Sequence, residues 1–396
     1  MCTWLLNLGL MIYVDISAAV HSRAGLGRYS ERLAQALIAQ QPERFGVFYN
    51  LGNNGRFPPT LPASTPQRHI QHGYKPWRMA VLLGQMARLS FKRLVPDAAL
   101  FHSTEHLLMP LRGVPTVLTV HDLIYKLYPE YHKKLNYWYL NLAMPLFCRR
   151  ADAIIAVSEA TKQDIITHYD IDPAKIHVVY EAASSLFKRA SPTQITRARQ
   201  TYNLPKQFLI HLSTIEPRKN LSRLLEALKL LHGDFPDLQL VLVGSKGWLY
   251  DDFFAKIEAD GLQDYVQHLG WVEDVDLPAV LAAADLAVQP SLYEGFGLPI
   301  LEHMACGQVV AASSRSSLPE VGGAAAVYFD PTNIDEMTAV IRHLLTDRTE
   351  YAQRQDLGLV QAQKFSWQRA AKETAAVYDQ LLDKELQSLK VAKSKI

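Results

Sequence analysis

Short apolar runs alternate with amphipathic stretches along almost the whole chain. The spacing predicts strands at Ile12–Ile16, Val47–Tyr49, Leu100–His102, Val117–Val120, Ile154–Val157 and Ile176–Val179. A second series follows at Phe208–Leu212, Leu238–Val243, Val266–Leu269, Leu286–Gln289 and Val309–Ala312. Between them lie helical patterns such as Arg28–Gln40, Leu221–His232 and Phe253–Ala259. Strand–helix alternation of this kind predicts parallel sheets built from βαβ units. Two such series predict an α/β chain of two doubly wound, Rossmann-like domains. Ligands of such sheets sit beyond the carboxyl ends of the strands.

Length agrees with two domains, because 396 residues exceed the roughly 250–300 at which single cores stop growing. The boundary is expected within Ala183–Lys206, a structured connector with its own short helix. A last helix starts near Trp367. A net charge of +2 gives no global signal for nucleic acid. Cys2, Cys148 and Cys306 are far apart with no CxxC pair, so neither a zinc site nor a disulfide framework is expected, and a reducing cytoplasm fits. The apolar start, MCTWLLNLGL, lacks a basic flank and a cleavage site. It is read as an upstream extension, with Met11 as the expected native start.

The densest chemistry lies in Ser291–Gly307, SLYEGFGLPILEHMACG, directly after a buried strand. Gly295 and Gly297, on either side of Phe296, allow backbone conformations that side chains block. Leu298-Pro299 opens a helix, whose unpaired N–H groups suit an anion. Glu294 precedes that helix and Glu302 lies within its first two turns. Carboxylates accept hydrogen bonds from hydroxyls, so the two can hold different parts of one ligand. The plainer alternative is a glycine turn with a solvated Glu302. In Ser213–Asn220, STIEPRKN, Arg218 can fork onto phosphate oxygens and Lys219 can act as a point charge. The same dipeptide serves equally as surface charge. Ala24–Tyr29, AGLGRY, offers Gly25 and Gly27 as a phosphate-approach loop or as a plain turn. It lacks the third glycine of a dinucleotide fingerprint, which excludes an NAD reading. In TVHDL, His121 can hydrogen-bond a sugar hydroxyl, while Asp122 orients it or caps the next segment. Ser103, Thr104, Glu105 and His106 form another polar strand end.

Together these segments resemble the family 4 retaining glycosyltransferases of the GT-B fold. The family's E-x7-E signature is matched by Glu294 and Glu302, and its basic pair by Arg218 and Lys219. The resemblance implies two Rossmann-like domains facing across a cleft. An acceptor-side domain is expected over residues 1–190, a nucleotide-sugar-binding domain over 200–366, and a final helix at 367–390 that rejoins the first. It implies Glu294 on the donor sugar, Glu302 on the ribose, and His121 near the donor sugar. It also implies AGLGRY, with Arg28, as the N-terminal glycine loop and Val272 near the base. VVYEAA at Val178–Ala183 departs from the family's commoner N-G-V ending, so Glu181 and Ala182 stay unassigned.

The expected reaction moves a hexose, with retention, from a UDP-, GDP- or ADP-sugar to a glycan or lipid-linked acceptor in polysaccharide or glycolipid biosynthesis. No cofactor and no metal are expected, with Arg218 and Lys219 taking a metal's role. The DxD strings Asp170–Asp172 and Asp274–Asp276 are read as surface acids. Retention is expected by front-face attack, the departing phosphate helping to take the acceptor's proton. A glycosidase carboxylate pair is rejected because both glutamates share one phosphate-type loop. The alternatives are a GT-B sugar-nucleotide epimerase and a non-catalytic sugar-nucleotide-binding protein.

No acidic residue lies between Glu43 and Asp97, where Arg44, Arg56, Arg68, Lys75, Arg78, Arg88, Lys92 and Arg93 alternate with Trp77, Met79, Leu82, Leu83, Met86, Leu89 and Phe91. Such a stretch is a candidate contact with an anionic membrane surface or an ordinary core helix. The expected location is cytoplasmic, peripheral on the inner membrane face.

Overall fold

The computed structural model describes residues 10–21 and 24–393. Residues 1–9, with Cys2 and nearly all of the apolar start, lie outside the described residues. The described strands are β1 (Met11–Asp15), β2 (Phe45–Asn50), β3 (Gln67–Ile70), β4 (Ala98–Ser103), β5 (Thr116–Val120), β6 (Ala153–Ala156), β7 (Ile176–Val178), β8 (Phe208–Leu212), β9 (Gln239–Val243), β10 (Val266–Gly270), β11 (Leu286–Gln289), β12 (Val310–Ser313) and β13 (Val327–Phe329). They form a seven-stranded sheet in the order β3-β2-β1-β4-β5-β6-β7 and a six-stranded sheet in the order β10-β9-β8-β11-β12-β13. Every pairing is parallel.

Inner strands such as FLIHL of β8 and LAVQ of β11 are buried along their whole length, as strands covered on both faces must be. The periodicity misses β3 and β13. Both are edge strands, and β3 (QRHI) exposes three of its four residues. An edge strand needs little apolar character, so it leaves little trace in the sequence.

The chain divides into two compact units, Met1–Lys126 with Lys133–Glu181 and Trp367–Ile396, and Leu127–His132 with Ala182–Ser366. Each has its own core. In the first, Phe101, Leu118, Phe147 and Ile154 are fully buried; in the second, Leu209, Leu225, Leu240 and Ile341.

Seven helices frame the polar strand ends and the basic surface: α1 (Ala24–Gln40), α2 (Tyr74–Met86), α3 (Lys134–Arg150), α4 (Pro192–Thr201), α5 (Leu221–Leu231), α6 (Leu298–Ala305) and α7 (Trp367–Lys393). The connector helix α4 opens on a capping box, with Ser191 and Gln194 satisfying each other's backbone N–H groups. The final helix α7 packs against α1 within the first unit.

The glycine loop requires a correction. Helix α1 already starts at Ala24, so Gly25 and Gly27 lie in its first turn and not in a loop ahead of it. A Cβ on Gly27 would stand 3.0 Å from the Ala18 carbonyl oxygen, so this glycine lets α1 approach the turn Ser17–Val20. A Cβ on Gly25 would meet nothing. The two DxD strings are also put to structural use. Asp170 ends a helix in the left-handed conformation, Asp172 caps the turn Pro173–Lys175, and Asp276 accepts the Tyr202 hydroxyl.

Candidate active site

In the second sheet the strand order reverses between β8 and β11. Polar loops from both strands meet there. After β8, Pro217–Lys219 makes one tight turn and Asn220 takes a left-handed conformation, φ 59°, before α5 begins. Asn220 holds the turn in place, its Nδ2 donating to the Pro290 carbonyl at 3.0 Å and the Pro331 carbonyl at 2.7 Å. After β11, the loop from Ser291 carries Glu294 and ends at Gly297, whose φ of 107° favours glycine. A Cβ on Gly297 would also come within 2.7 Å of Leu318.

Glu294 sits at the centre of this site. Its Oε2 accepts from Arg218 at 2.6 Å, and its Oε1 accepts from Lys219 Nζ at 2.6 Å and Ser291 Oγ at 2.7 Å. Arg218 Nε reaches Glu216 Oε1 at 2.5 Å on its other side. Two cations thus stand between two carboxylates, and Lys219, Glu216 and Glu294 are all buried. Burial pushes the Glu294 carboxyl up, but the charges of Arg218 and Lys219 outweigh it and hold the group well below the usual carboxylate range. Lys219 is lowered, by burial first and then by Arg218, with Glu294 opposing both. Glu294 is therefore the counter-ion that holds both cations in place, a role not anticipated for a residue expected to be catalytic and to hold the donor sugar.

The backbone of the Glu294 loop is held by Ser316 and Ser317. Ser316 Oγ accepts from Glu294 N–H at 2.9 Å, and Ser317 Oγ donates to the carbonyls of Glu294 at 2.9 Å and Phe296 at 2.6 Å. Gly295 is half-buried and Phe296 packs edge-on against Phe365. Leu298 begins α6, and Glu302 is buried on its second turn, on the side of Cys306. Burial, with the Glu302 charge, pushes the Cys306 thiol up to about 12. Val272 is buried beside an exposed Trp271.

Sequence reasoning missed one loop of this site, Gly244–Gly247 (GSKG), which follows β9. Its Ser245 carbonyl accepts from Ile215 N–H at 2.9 Å, and Gly247 N–H returns to the Ile215 carbonyl at 3.0 Å. A Cβ on Gly244, φ 129°, would stand 2.1 Å from the Ser213 carbonyl oxygen. The signal was available: two glycines directly after a buried strand mark close backbone approach.

The first unit reverses its strand order between β1 and β4, and its polar strand ends gather there. His121, after β5, is buried. Its Nδ1 faces Glu181 Oε1 at 3.2 Å and its Nε2 faces the Thr104 carbonyl at 2.9 Å. Both partners accept only, so both bonds form when the ring carries two protons. Burial alone lowers the ring's pKa, but the Glu181 hydrogen bond and charge reverse this and raise it. Glu181, unassigned from sequence, is thus the carboxylate that orients His121. Asp122 caps the next helix instead, accepting from Ile124 N–H at 3.1 Å. Tyr29, from the AGLGRY segment, stands edge-on to His121 at 4.6 Å and hydrogen-bonds Thr119 at 3.0 Å. Thr119 also meets His102 Nε2 at 2.8 Å, and Tyr378 on α7 meets His102 Nδ1 at 2.6 Å. Burial brings His102 down to about 3, so it is neutral.

Among the described residues, one His/Asp/Glu group has ligand atoms close enough to share an ion: His343, Asp347 and Glu350. Asp347 there caps the helix Arg348–Gln363, and Glu350 pairs with His343 and Arg354, which accounts for the cluster without an ion.

Solved structures show that this architecture is the GT-B fold. Anabaena HepE, in complex with UDP and glucose, matches with a TM-score of 0.70 at 21% identity, covering 94% of this chain and 99% of that one. WaaG, a glycosyltransferase involved in lipopolysaccharide biosynthesis, matches at 0.67 and 18%, covering 93% and 98%. Residues 23–183 match the family model Glycosyltransferase Family 4, and residues 193–358 match Glycosyl transferases group 1. The O-antigen chain mannosyltransferase B of Escherichia coli is 33% identical over 368 residues, 89% of this chain and 95% of its own length. A serotype-specific mannosyltransferase of the same organism is 32% identical over 330 residues, and the match spans 39% of its length. The chain belongs to the family 4 glycosyltransferases.

Proposed function

We propose that this glycosyltransferase moves a mannosyl unit, with retention, from a nucleoside-diphosphate sugar to a growing polysaccharide or lipid-linked acceptor. The observation that carries the reading is the Glu294 carboxylate bonded to both Arg218 and Lys219 at the β8–β11 reversal. Such cations, fixed before the reaction, stabilise charge that builds on a departing diphosphate. They can do so without a metal, and the positive end of the α6 dipole adds to them. Glu294 then keeps the cations oriented and turns to the sugar hydroxyls, and Glu302 serves the ribose. His121 is retained as a sugar-binding group that keeps its bond to Glu181 and exchanges the Thr104 carbonyl for a sugar hydroxyl at Nε2. Attack on the same face as the leaving group lets the departing phosphate take the acceptor's proton. The mannosyl choice rests on the mannosyltransferases among the relatives. The acid-free basic stretch between Glu43 and Asp97 supports work at an anionic membrane surface.

The test is to incubate the purified protein with GDP-, UDP- and ADP-hexoses, with and without EDTA, and to resolve the products with a lipid-linked mannan primer. Transfer from a GDP- or other NDP-mannose with an α-linked product, undiminished by EDTA, is expected. Transfer abolished by EDTA overturns metal independence, and an inverted linkage overturns retention. Interconversion of free sugar nucleotides without an acceptor would return the epimerase reading.

A further inference from the structure

Helix α2 turns Trp77, Val81 and Leu82 into the core of the first unit, and α3 turns Leu140, Met144 and Phe147 into the same core. The two helices lie side by side. Arg78 of α2 stacks its guanidinium over the Tyr139 ring at 3.7 Å and donates to Asn136 Oδ1 at 3.1 Å, both on α3. Their outer faces should then be polar. Instead, Met79, Leu83 and Met86 on α2 are 47%, 55% and 55% exposed, and Leu135, Trp138 and Leu142 on α3 are 86%, 69% and 57% exposed. Within each helix these positions fall one turn apart, on one side. Every large apolar side chain that the described first unit exposes lies on α2, on α3 or at Leu89 just after α2. Single exposed apolar residues need no explanation, but a contiguous set marks an interaction surface.

We infer that the outer faces of α2 and α3 together dock this protein on an anionic lipid bilayer. Charge selects the occupant. α3 is as free of acid as the stretch around α2, because no Asp or Glu lies between Glu130 and Asp152. Lys75, Arg88, Lys92, Arg93, Lys133 and Lys134 flank the apolar rows. A face that is apolar in the middle and basic at its rim matches an anionic lipid headgroup layer with acyl chains beneath it. A second copy fits poorly, since a two-fold contact would set the same cations against themselves. Trp138 at the outer edge is suited to the headgroup depth. No described helix is long and apolar enough to cross a membrane, so the contact lies in the interface plane. Two basic residues of the acid-free stretch are not part of this face. Arg44 is buried and pairs with Asp379, and Arg68 pairs with Asp97.

This inference rests on the membrane contact included in the proposed function and adds the surface that makes it. The test is flotation of the full chain with vesicles of equal phosphatidylglycerol and phosphatidylcholine, against pure phosphatidylcholine. The wild type floats with the anionic vesicles, and Trp138 emission shifts to the blue, a shift lost in Trp138→Phe. Leu83→Asp with Trp138→Asp lowers the bound fraction roughly tenfold or more, because two anchors leave the bilayer and two anions enter the rim. Both positions face outward, so nucleoside-diphosphate binding stays unchanged, which a thermal-shift assay checks. Equal flotation of that double variant and the wild type overturns the inference. If Lys92→Glu with Arg93→Glu then abolishes flotation, the basic stretch binds alone and the broader membrane reading stands. Dimers broken by Leu83→Asp in the absence of any vesicle binding would assign the face to a second copy and overturn the inference. Loss of donor binding in wild type would overturn the transferase reading without touching the lipid result.

Discussion

At the β8–β11 reversal of the second unit, Arg218 bridges two carboxylates and Lys219 pairs with one of them; at the β1–β4 reversal of the first stand hydroxyls, a histidine whose pKa burial lowers and one histidine–carboxylate pair. The topology is the same in kind, and it supplies only the place: a crevice beyond strand ends where loops diverge. The side chains decide its use. In the second unit Lys219 is buried beside Arg218, an arrangement that like charges disfavour, and Glu294 makes it tolerable. In the first, burial lowers His102 to about 3, whereas the hydrogen bond and charge of Glu181 raise His121 against its own burial. One end is a cluster of buried ion pairs under electrostatic load. The other is a hydrogen-bonded scaffold with one titrating member.

The widest gap between the two ends appears on removing charge. Lys219→Ala should lower kcat by about 10²–10³-fold, the usual cost of losing one preorganised charge-stabilising donor. Calorimetry should also find weaker nucleoside-diphosphate binding, and unchanged affinity removes Lys219 from the grip. Glu294→Ala should lose transfer as well, but it leaves two buried cations without their shared partner. Breaking such a pair costs about 3–5 kcal/mol, which urea unfolding of the second unit reads directly. Loss of transfer at full stability would assign Glu294 to the donor alone and deny it the counter-ion role. Gly244→Ala comes next. Its Cβ would collide with the Ser213 carbonyl oxygen at a backbone φ of 129°, so a loss of about 1–3 kcal/mol is expected, in the range of other overpacked sites.

The contrast between the two ends also explains what the sequence could and could not reveal. Inner strands such as β8 and β11 announce themselves as apolar runs because both their faces are covered. Of the four edge strands, β7 and β10 keep an apolar trace, while the three- and four-residue β13 and β3 leave too little. The E-x7-E spacing and the basic pair pointed to the two loops that the structure joins through Glu294, because each set lies within one short segment. That Glu294 bonds to both cations was not legible, since Arg218 and Glu294 are 76 positions apart and meet only through β8–β11 neighbourhood. Glu181 was invisible for the same reason, 60 positions from His121. Asp122, adjacent in sequence, reads as a residue that orients the ring or caps the next segment, and it caps. The outward row on α3 was missed because KKLNYWYLNLAMPLFCRR is apolar all round, and only burial separates its two faces.

A smaller effect separates the two ends by pH. The His121 pKa lies above its ordinary 6.5 in the fold, so its contribution is full below 6.5 and is lost as pH rises through the folded value. Glu181→Gln removes the charge that opposes burial, and the ring's pKa falls. The difference in Tm between wild type and variant should therefore be greatest in acid and close as pH rises across about pH 5 to 8. A constant difference across that range would mean that Glu181 acts through packing. Titration of the His121 ring by NMR gives the same answer at one residue, as a midpoint lowered in the variant.

The smallest expected effect concerns Gly25, and it decides whether the first unit approaches an anion through its glycines. Gly25 lies in the first turn of α1 with open space where a Cβ would stand. Alanine forms helix better than glycine and narrows the unfolded ensemble, so Gly25→Ala should stabilise the first unit by about 0.4–1 kcal/mol. If the fold were the only reason for the residue, donor binding and transfer would not change. If the backbone here approaches a ligand, the added methyl group stands where that ligand must come, and affinity for the sugar nucleotide drops while stability rises. Gly27 cannot give this answer, because a Cβ there already meets the Ala18 carbonyl oxygen at 3.0 Å. Stability and affinity moving in opposite directions in Gly25→Ala would make the first strand end a ligand site, as proposed for the second. Stability rising alone would leave it as a scaffold.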